Sequence, residues 1–430
     1  MLDRLFALES FGIKLGLGNI SRLCEALGHP ERSFTAIHVA GTNGKGSVTA
    51  MVHAALVAGG IRAGRYVSPH LVDLAERFVI GTAQVSDADL ERAAGDVLDC
   101  AERLRTAGDL AAHPTFFEAT TALGFELFRR AGVQAAVIEV GLGGRFDSTN
   151  VVPARVGAIT SVGFDHQDLL GDTIEAIAFE KAGIVKPGMT LVAGTLPDAA
   201  RQVVGAVAAD RQAEVVDASA GVRVDADVRD GRTVVTIDTP DDRYGPLTLG
   251  LRGEHQIGNA LVAVRLLEAA RRRTSLDVSR EAIERGLTDV DWPGRLEQVE
   301  MPGDARVLLD AAHNVDGARA LARYLQRWHP ERPPLVIGMM RDKDVPGIVD
   351  ALLPSVSTVV ATAAATPRAI PARELAARIA ACGATGVRAE PDPAAAVELA
   401  LSIASSVCVT GSIFLIGAVR DRLRRRAILR

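Results

Sequence analysis

The sequence predicts an α/β protein with two main sheets, of which the first is larger and mostly parallel. Apolar, β-branched runs alternate with helix-like runs along the chain, as in parallel sheets whose strands are connected by helices. Between residues 222 and 251 the pattern changes to short alternating runs, which predict a small antiparallel region. After a turn cluster at residues 291–295 the strand–helix alternation restarts, which predicts a second, smaller Rossmann-like sheet.

Chain length and composition set the expected domain organisation. At 430 residues the chain exceeds one typical core, so more than one domain is expected. We place a central nucleotide-binding domain at residues 1–290, with a β-rich subregion at about 220–251. A linker at 291–295 and a C-terminal domain at 296–430 follow.

Net charge and cysteine spacing indicate which classes of partner and which cellular compartment to expect. The net charge is −5 and no basic patch spans a domain, so a nucleic-acid partner is not expected. Four scattered cysteines lack metal-type spacing and predict free thiols in the cytoplasm. Residues 399–419 carry no charge, but their Ser, Thr and Gly residues favour a helix end, a strand, a turn and a new helix. No membrane association is therefore expected.

Each element of the first domain is predicted from the residue pattern of its stretch. Residues 1–33 are predicted to be helical, residues 62–70 a short strand and turn, and residues 71–85 a loop and strand pair. Apolar runs predict buried strands at 34–39, 135–140, 155–162, 190–194 and 214–217. Helix-like runs predict helices at 48–58, 87–107, 116–131, 174–182 and 256–272. In the second domain, strands are predicted at 307–310, 334–338, 358–361 and 406–409, with helices between them.

The stretch from Gly41 to Ser47 has the layout of a phosphate-binding loop between a strand and a helix. Glycines let backbone N–H groups converge on phosphate oxygens, and the following helix directs its positive end at the same anion. Lys45 can reach the β- and γ-phosphates, and Ser47 can bind Mg²⁺. The spacing departs from the general P-loop, because Gly46 separates Lys45 from Ser47. The alternative is an ordinary glycine turn into a helix, but few such turns combine all these features.

Polar residues also follow other predicted strands, where ligands of open parallel sheets bind. Glu139 ends an apolar strand, and a buried carboxylate is costly unless it is paired or bound to metal, so we predict that it binds Mg²⁺. His166 follows Asp165 after the next strand and is either a ligand or a structural histidine. Ser68 precedes a proline and by default belongs to a turn. Lys181 by default is a surface lysine.

Taken together, the residues resemble the folylpolyglutamate synthase family, which includes bifunctional dihydrofolate synthases and is related to the Mur ligases. The resemblance covers nearly the whole chain. Mur ligases usually carry Thr after the loop lysine, whereas Gly46-Ser47 is similar to the folate branch. The motifs that carry the resemblance, in chain order, lie at residues 38–47, 68–71, 115–118, 139–147, 165–166, 180–184, 253–256, 259–260, 293–295 and 310–314.

The resemblance implies a role for each site residue. ATP would be held by the loop residues Thr42, Asn43, Gly44, Lys45, Gly46 and Ser47, and by Asn259, Arg295 and Asp310. Ser68, Glu139 and His166 would hold Mg²⁺, and a carbamylated Lys181 would lie near a second metal. The pteroate pocket would be lined by Thr115, Phe116, Phe117, Glu118, Arg145, Phe146 and Asp147. Phe146 stands where Leu is common, so it could reshape that pocket.

The activity that the resemblance implies is an ATP-dependent amide ligase. It would add L-glutamate to dihydropteroate, to a reduced folate such as tetrahydrofolate, or to both, through an acyl phosphate. Lys45 would stabilise the transferred phosphoryl group. His313 is a candidate general base, with a structural role as its alternative. The resemblance also implies a monomer.

Two other functions are compatible with a phosphate-binding loop. A Mur-type ligase would add an amino acid to a cell-wall precursor and would need a uridine-nucleotide pocket. A nucleotide switch that binds a protein partner would need a base-reading motif such as Asn-Lys-x-Asp, and no Asn in this sequence is followed by Lys.

Overall fold

The protein is described here from a computed structural model that covers residues 1–12, 14, 16–110, 112–229 and 231–428. The predicted α/β class is confirmed, with a large mostly parallel sheet, a small antiparallel sheet and a second open sheet. None of the helices in these ranges combines the length and apolarity needed to span a bilayer. The four cysteines are free thiols, as predicted.

The large sheet has eight strands and places the phosphate-loop strand near its centre. The strands are β1 (Thr35–Ala40), β2 (Ala63–Tyr66), β3 (Phe78–Ile80), β4 (Ala83–Gln84), β5 (Ala135–Glu139), β6 (Val156–Ile159), β7 (Thr190–Ala193) and β8 (Glu214–Asp217). Their order is β4-β3-β2-β5-β1-β6-β7-β8. The pairs β2–β3 and β3–β4 are antiparallel, and the other pairs are parallel. β1 therefore lies between β5 and β6, whose carboxyl ends flank the phosphate loop.

Both faces of the central strands β1, β5, β6 and β7 are buried, which explains their continuous apolar runs. Along β1, Ile37 and Val39 face one core while Ala36 faces the other. The helices around this sheet are α1 (Leu2–Phe6), α2 (Gly18–Ala26), α3 (Lys45–Ala58), α4 (Asp87–Ala107), α5 (Phe116–Arg130), α6 (Gln167–Leu170), α7 (Ile174–Ala182), α8 (Asp198–Asp210), α9 (His255–Arg273) and α10 (Arg280–Thr288). One core is built with α3, α9 and α10, and the other with α2, α4 and α5.

The predicted antiparallel region is confirmed as a three-stranded sheet that precedes α9. Its strands are β9 (Arg223–Arg229), β10 (Arg232–Asp238) and β11 (Arg243–Thr248), with β10 in the middle. Val235, Ile237 and Tyr244 join the core that also contains α3 and α9. This sheet therefore packs on the far side of the helices that follow the phosphate loop.

The second open sheet has six strands. They are β12 (Glu297–Glu300), β13 (Arg306–Leu309), β14 (Leu335–Ile337), β15 (Val359–Ala361), β16 (Arg388–Ala389) and β17 (Ser406–Thr410), in the order β12-β13-β17-β14-β15-β16. The accompanying helices are α11 (Val315–Trp328), α12 (Val345–Leu352), α13 (Ala372–Ala381), α14 (Pro393–Leu401) and α15 (Ile413–Ile428). The uncharged stretch at 399–419 is thus a helix end, a strand and a new helix, as predicted.

Candidate active site

The phosphate loop joins β1 to α3 and needs glycine at two positions. Gly41 has a φ of +151° and Gly44 a φ of +86°, which are values that residues with a side chain rarely adopt. A Cβ at Gly41 would overlap the Thr160 hydroxyl, and one at Gly44 would overlap the Asn259 side chain. α3 begins at Lys45, three residues before the predicted start, so its amino end directly follows the loop.

Two hydroxyl residues at the end of β6 hold this loop in place. Backbone N–H groups of Thr42 and Asn43 donate to the carbonyl and the hydroxyl of Ser161, each over 2.9 Å. The Thr160 hydroxyl donates to the Asn43 carbonyl over 2.6 Å. Sequence analysis missed Thr160 and Ser161, although their place at the end of a strand next to β1 was a usable signal.

Two lysines converge on one carbonyl of the phosphate loop. Lys45 Nζ donates to the carbonyls of Gly41 (3.0 Å) and Thr42 (3.2 Å), and Lys181 Nζ donates to the Gly41 carbonyl over 3.2 Å. Lys181 is 3% exposed, so it is not the surface lysine that its helix position suggested. Burial, reinforced by the charge of Lys45, lowers the pKa of Lys181 to about 7.

Glu139 ends β5 and is paired in register with Val39 of β1. It is 6% exposed, and burial raises its pKa to about 7 against the opposing charges of Lys45, Arg295 and Arg65. A carboxylate in this position can be ionised fully by a bound cation.

Ser68, Glu139 and His166 line the same cleft and fit a magnesium ion by their chemistry. Among the described residues no cluster of three or more His, Cys, Asp and Glu side chains could hold a metal ion. An ion held by these three side chains would therefore also depend on water and phosphate oxygens. Such oxygen-rich ligation is what Mg²⁺ prefers.

Asp165 joins the two sheet domains through a buried cluster that sequence analysis did not foresee. Lys343 Nζ donates to Asp165 Oδ1 over 2.6 Å, and both side chains are less than 10% exposed. Asn314 Nδ2 donates to Asp165 Oδ2 over 3.2 Å. Burial pushes the pKa of Asp165 upward, but the hydrogen bond from His313 and the charges of His313 and Lys343 outweigh it, so the pKa lies well below its usual range.

The position of His313 bears on its predicted role as general base. Its Nδ1 donates to the Ala311 carbonyl over 2.9 Å, and its Nε2 lies 3.4 Å from Asp165 Oδ2. Both ring nitrogens thus face acceptors. With Nδ1 held by the Ala311 carbonyl, Nε2 is the nitrogen left to exchange a proton, and here it faces Asp165 rather than a substrate amine. His313 would have to leave Asp165 before it could act as a base.

The remaining predicted ATP residues are held at the junction of the domains. Asp310 follows β13, and its two oxygens accept from the backbone N–H groups of Leu296 (2.9 Å) and Ala312 (3.0 Å). Arg295 Nη1 donates to the Gly294 carbonyl over 3.0 Å. Asn259 on α9 donates to Gln256 over 2.8 Å, and Gln256 in turn donates to the Ser47 hydroxyl over 3.3 Å. Gln256 thereby connects α9 to the phosphate loop.

The predicted pteroate residues have different surroundings. Thr115 and Glu118 form the capping box of α5, in which Glu118 accepts from the Thr115 N–H over 2.7 Å. Asp147 accepts from the Leu142 N–H (2.8 Å) and from the Thr149 hydroxyl (2.5 Å), so it fixes the loop after β5. Arg145 pairs with Glu180 on α7 over 2.6 Å.

One cleft of about 1700 Å³ between the two sheet domains brings the site together. All predicted site residues line it except Glu118, Arg145 and Lys181. Glu118 is buried in the cap of α5, the Arg145 side chain pairs with Glu180, and the buried Lys181 donates to the Gly41 carbonyl. Lys343 and Asn314 also line the cleft, although neither was selected as a site residue. For Asn314 the usable signal was its place in the 310–314 motif, whereas Lys343 lies in none of the motifs.

Comparisons with known proteins match both halves of the chain. The Mur ligase middle domain matches residues 39–267, and the Mur ligase glutamate ligase domain matches residues 294–413. The folylpolyglutamate synthase of Lacticaseibacillus casei is 35% identical over 94% of this chain and 93% of that protein. The dihydrofolate synthase/folylpolyglutamate synthase of Bacillus subtilis is 34% identical over 96% of both chains. The solved Mycobacterium tuberculosis folylpolyglutamate synthase, complexed with ADP and AMPPCP, has a TM-score of 0.91 and 34% identity over 98% of both chains.

Proposed function

We infer that this chain, which belongs to the Mur ligase family and its folylpolyglutamate synthase branch, uses ATP to join L-glutamate to a folate carboxylate. The observation that carries this function is the likeness over nearly the full length of both chains to enzymes of that name. A cell-wall Mur ligase is not favoured, because the matching relatives named here are folate enzymes.

The chemistry has two steps, both of which use the cleft between the domains. A carboxylate oxygen attacks the γ-phosphorus of ATP, the bond to the β-phosphate oxygen breaks, and ADP leaves. The amine of L-glutamate then attacks the acyl carbon, inorganic phosphate leaves, and the amine loses a proton. We propose that Lys45 offsets charge on the transferred phosphoryl group once it turns from the Gly41 and Thr42 carbonyls.

We propose that Ser68, Glu139 and His166 hold one Mg²⁺ and that a second lies near Lys181. When bound, the ions would offset the negative charge of phosphate and carboxylate oxygens. Because burial lowers the pKa of Lys181 to about 7, a substantial share of the amine is uncharged near neutral pH, and its lone pair can attack CO₂. The N–C bond forms, the amine loses a proton to water, and the resulting carbamate is an anionic oxygen ligand.

The other assignments are proposals of the same kind. Thr42, Asn43, Gly44, Gly46, Ser47, Asn259, Arg295 and Asp310 would contact ATP, and Thr115, Phe116, Phe117, Phe146 and Asp147 would contact the pteroate group. Glu118 and Arg145 would act indirectly, because Glu118 positions Thr115 and Arg145 positions Phe146. We also propose a domain boundary at 291–295, a monomer and a cytoplasmic location.

The test is phosphate release from ATP, measured with L-glutamate and either dihydropteroate, tetrahydrofolate or no acceptor. We expect release only with an acceptor, matched by amide formation. Release without any acceptor would contradict the ligase assignment. If the enzyme used a uridine-linked cell-wall precursor and neither dihydropteroate nor tetrahydrofolate, the Mur-type function would replace the folate function.

A further inference from the structure

Phe146 presents an aromatic ring to the substrate side of the cleft. It follows the glycine-rich loop after β5 and is 38% exposed. It lines the same cleft as Phe116, Phe117 and Leu142. A large apolar side chain that stays exposed inside a ligand cleft is typical of a surface that a ligand covers.

The Phe146 ring is supported by the Arg145 guanidinium, which also contacts Phe179. The Arg145 guanidinium carbon lies 4.3 Å from the Phe146 ring centroid and 5.0 Å from the Phe179 ring centroid. Glu180 accepts from Arg145 Nη2 over 2.6 Å and from Nε over 3.3 Å. Because two hydrogen bonds orient the planar Arg145 guanidinium, this group is a fixed, flat surface on which the Phe146 ring packs.

We propose that Phe146 is a specificity-determining residue that stacks on the pteridine ring and favours dihydropteroate over tetrahydrofolate. This proposal rests on the proposed function. In the 7,8-dihydropteridine the C6=N5 double bond keeps the ring nearly flat, so an aromatic face can stack on it. In the tetrahydro form C6 and C7 are both tetrahedral, so the ring puckers and the substituent at C6 leaves the plane.

The experiment compares kcat/KM for dihydropteroate and tetrahydrofolate in the wild type, Phe146→Leu, Phe146→Tyr and Phe179→Leu. Leucine keeps the apolar volume but loses the flat face, so Phe146→Leu should lower the dihydropteroate-to-tetrahydrofolate ratio by roughly 2- to 10-fold. Phe146→Tyr keeps the ring and should keep the ratio. Phe179→Leu is the matched control, because Phe179 contacts the same guanidinium but does not line the cleft.

The possible outcomes distinguish a failure of the stacking role from a failure of the proposed ligase function. An unchanged ratio in Phe146→Leu, or an equal change in Phe179→Leu, would overturn the stacking role while the ligase function stands. Turnover of neither acceptor by the wild type would overturn the proposed function and the inference with it. Thermal unfolding of each variant shows whether a lower kcat/KM is caused by a smaller fraction of folded protein. The ratio of the two kcat/KM values does not depend on the folded fraction.

Discussion

At the scale of single residues, burial changes the chemistry that the sequence suggests. Lys181 occupies a helix position that predicts an exposed, charged side chain, yet it is buried against the Gly41 carbonyl. Because burial lowers the pKa of Lys181 to about 7, a substantial share of the amine is neutral near physiological pH, whereas an ordinary lysine is almost wholly charged there. A neutral, nucleophilic amine beside the phosphate loop is what carbamylation requires.

We therefore predict that activity depends on CO₂ through Lys181. The reactive neutral amine accumulates as pH rises through about 7 and is lost as pH falls below it. Enzyme freed of CO₂ at pH 6 should regain activity on addition of bicarbonate at pH 8, as measured by phosphate release. Lys181→Ala should lose roughly 100-fold in kcat and should not respond to bicarbonate.

The control for this prediction is chemical rescue. A short carboxylic acid such as acetate can supply the missing carboxylate-like oxygens in Lys181→Ala, so it should restore part of the activity. Wild-type rates that are the same with and without bicarbonate, together with an unmodified mass, would count against carbamylation.

At the scale of elements, the pattern of apolar residues predicts strands that are buried on both faces but misses strands at the edges of a sheet. The central strands and the helices Asp87–Ala107 and Ile174–Ala182 were predicted closely, because their runs are long and consistent. β12 was missed because Glu297–Glu300 is an edge strand with Val299 as its single apolar residue, and β16 because it has only two residues. α3 starts earlier than predicted because Gly46 and Ser47, which are weak helix formers, continue the helix.

Gly46 in α3 owes its identity to packing rather than to backbone conformation. A Cβ there would lie 2.8 Å from Trp292, whose indole packs between the phosphate-loop helix and the Arg65 guanidinium. Trp292 belongs to the predicted linker. The residue that marked this loop as folate-like therefore also lets the linker approach the amino end of α3.

We predict that Gly46→Ala destabilises the protein despite alanine's higher helix propensity. Propensity favours Ala over Gly by up to about 1 kcal/mol, whereas overpacking against a rigid indole costs about 1–3 kcal/mol. Urea unfolding should show a net loss of about 1–2 kcal/mol, and KM for ATP should rise. Gly205→Ala in α8, where a Cβ meets nothing within 4 Å, should instead be neutral or stabilising. Equal effects of both substitutions would exclude the packing explanation.

At the scale of the whole molecule, the second domain holds the phosphate loop directly. Asn43 and Asn314 exchange two side-chain hydrogen bonds of 3.3 and 3.0 Å. Asn314 also caps α11 by accepting from the Gly317 N–H over 2.9 Å. One amide thus connects the start of a helix in one domain to the ATP loop of the other.

We predict that Asn314→Ala impairs ATP use beyond its effect on stability. The substitution removes a helix cap, which costs about 1 kcal/mol, together with the two bonds to Asn43 and the bond to Asp165. We expect kcat/KM for ATP to fall by roughly 10-fold. Asp392→Ala is the matched control, because Asp392 caps α14 by accepting from Ala395 over 2.8 Å and does not line the cleft. If both variants lose stability equally and neither changes the kinetics, the Asn43–Asn314 pair has no functional role.

The sequence could predict the separate parts of the site but not how the domains meet. Positions at strand ends selected the phosphate loop, Glu139 and His166, because strand ends gather at one edge of a parallel sheet, and the family resemblance selected Asp310. Lys343 could not be selected this way. It is 178 positions from Asp165, and only the packing of the two sheets brings them within 2.6 Å.

The buried Asp165–Lys343 pair also constrains how such a chain can diverge. Loss of either partner removes the shortest ion pair of this cluster. Without Lys343, Asp165 would keep the longer contacts to His313 and Asn314, and without Asp165, Lys343 would keep the longer contact to Asp342. Either loss is destabilising, whereas exchange of both together can be nearly neutral. The two positions are therefore expected to change in concert among descendants of this gene. A hybrid gene that combines the first half of one descendant with the second half of another should then work only where both halves retain matching members of this pair.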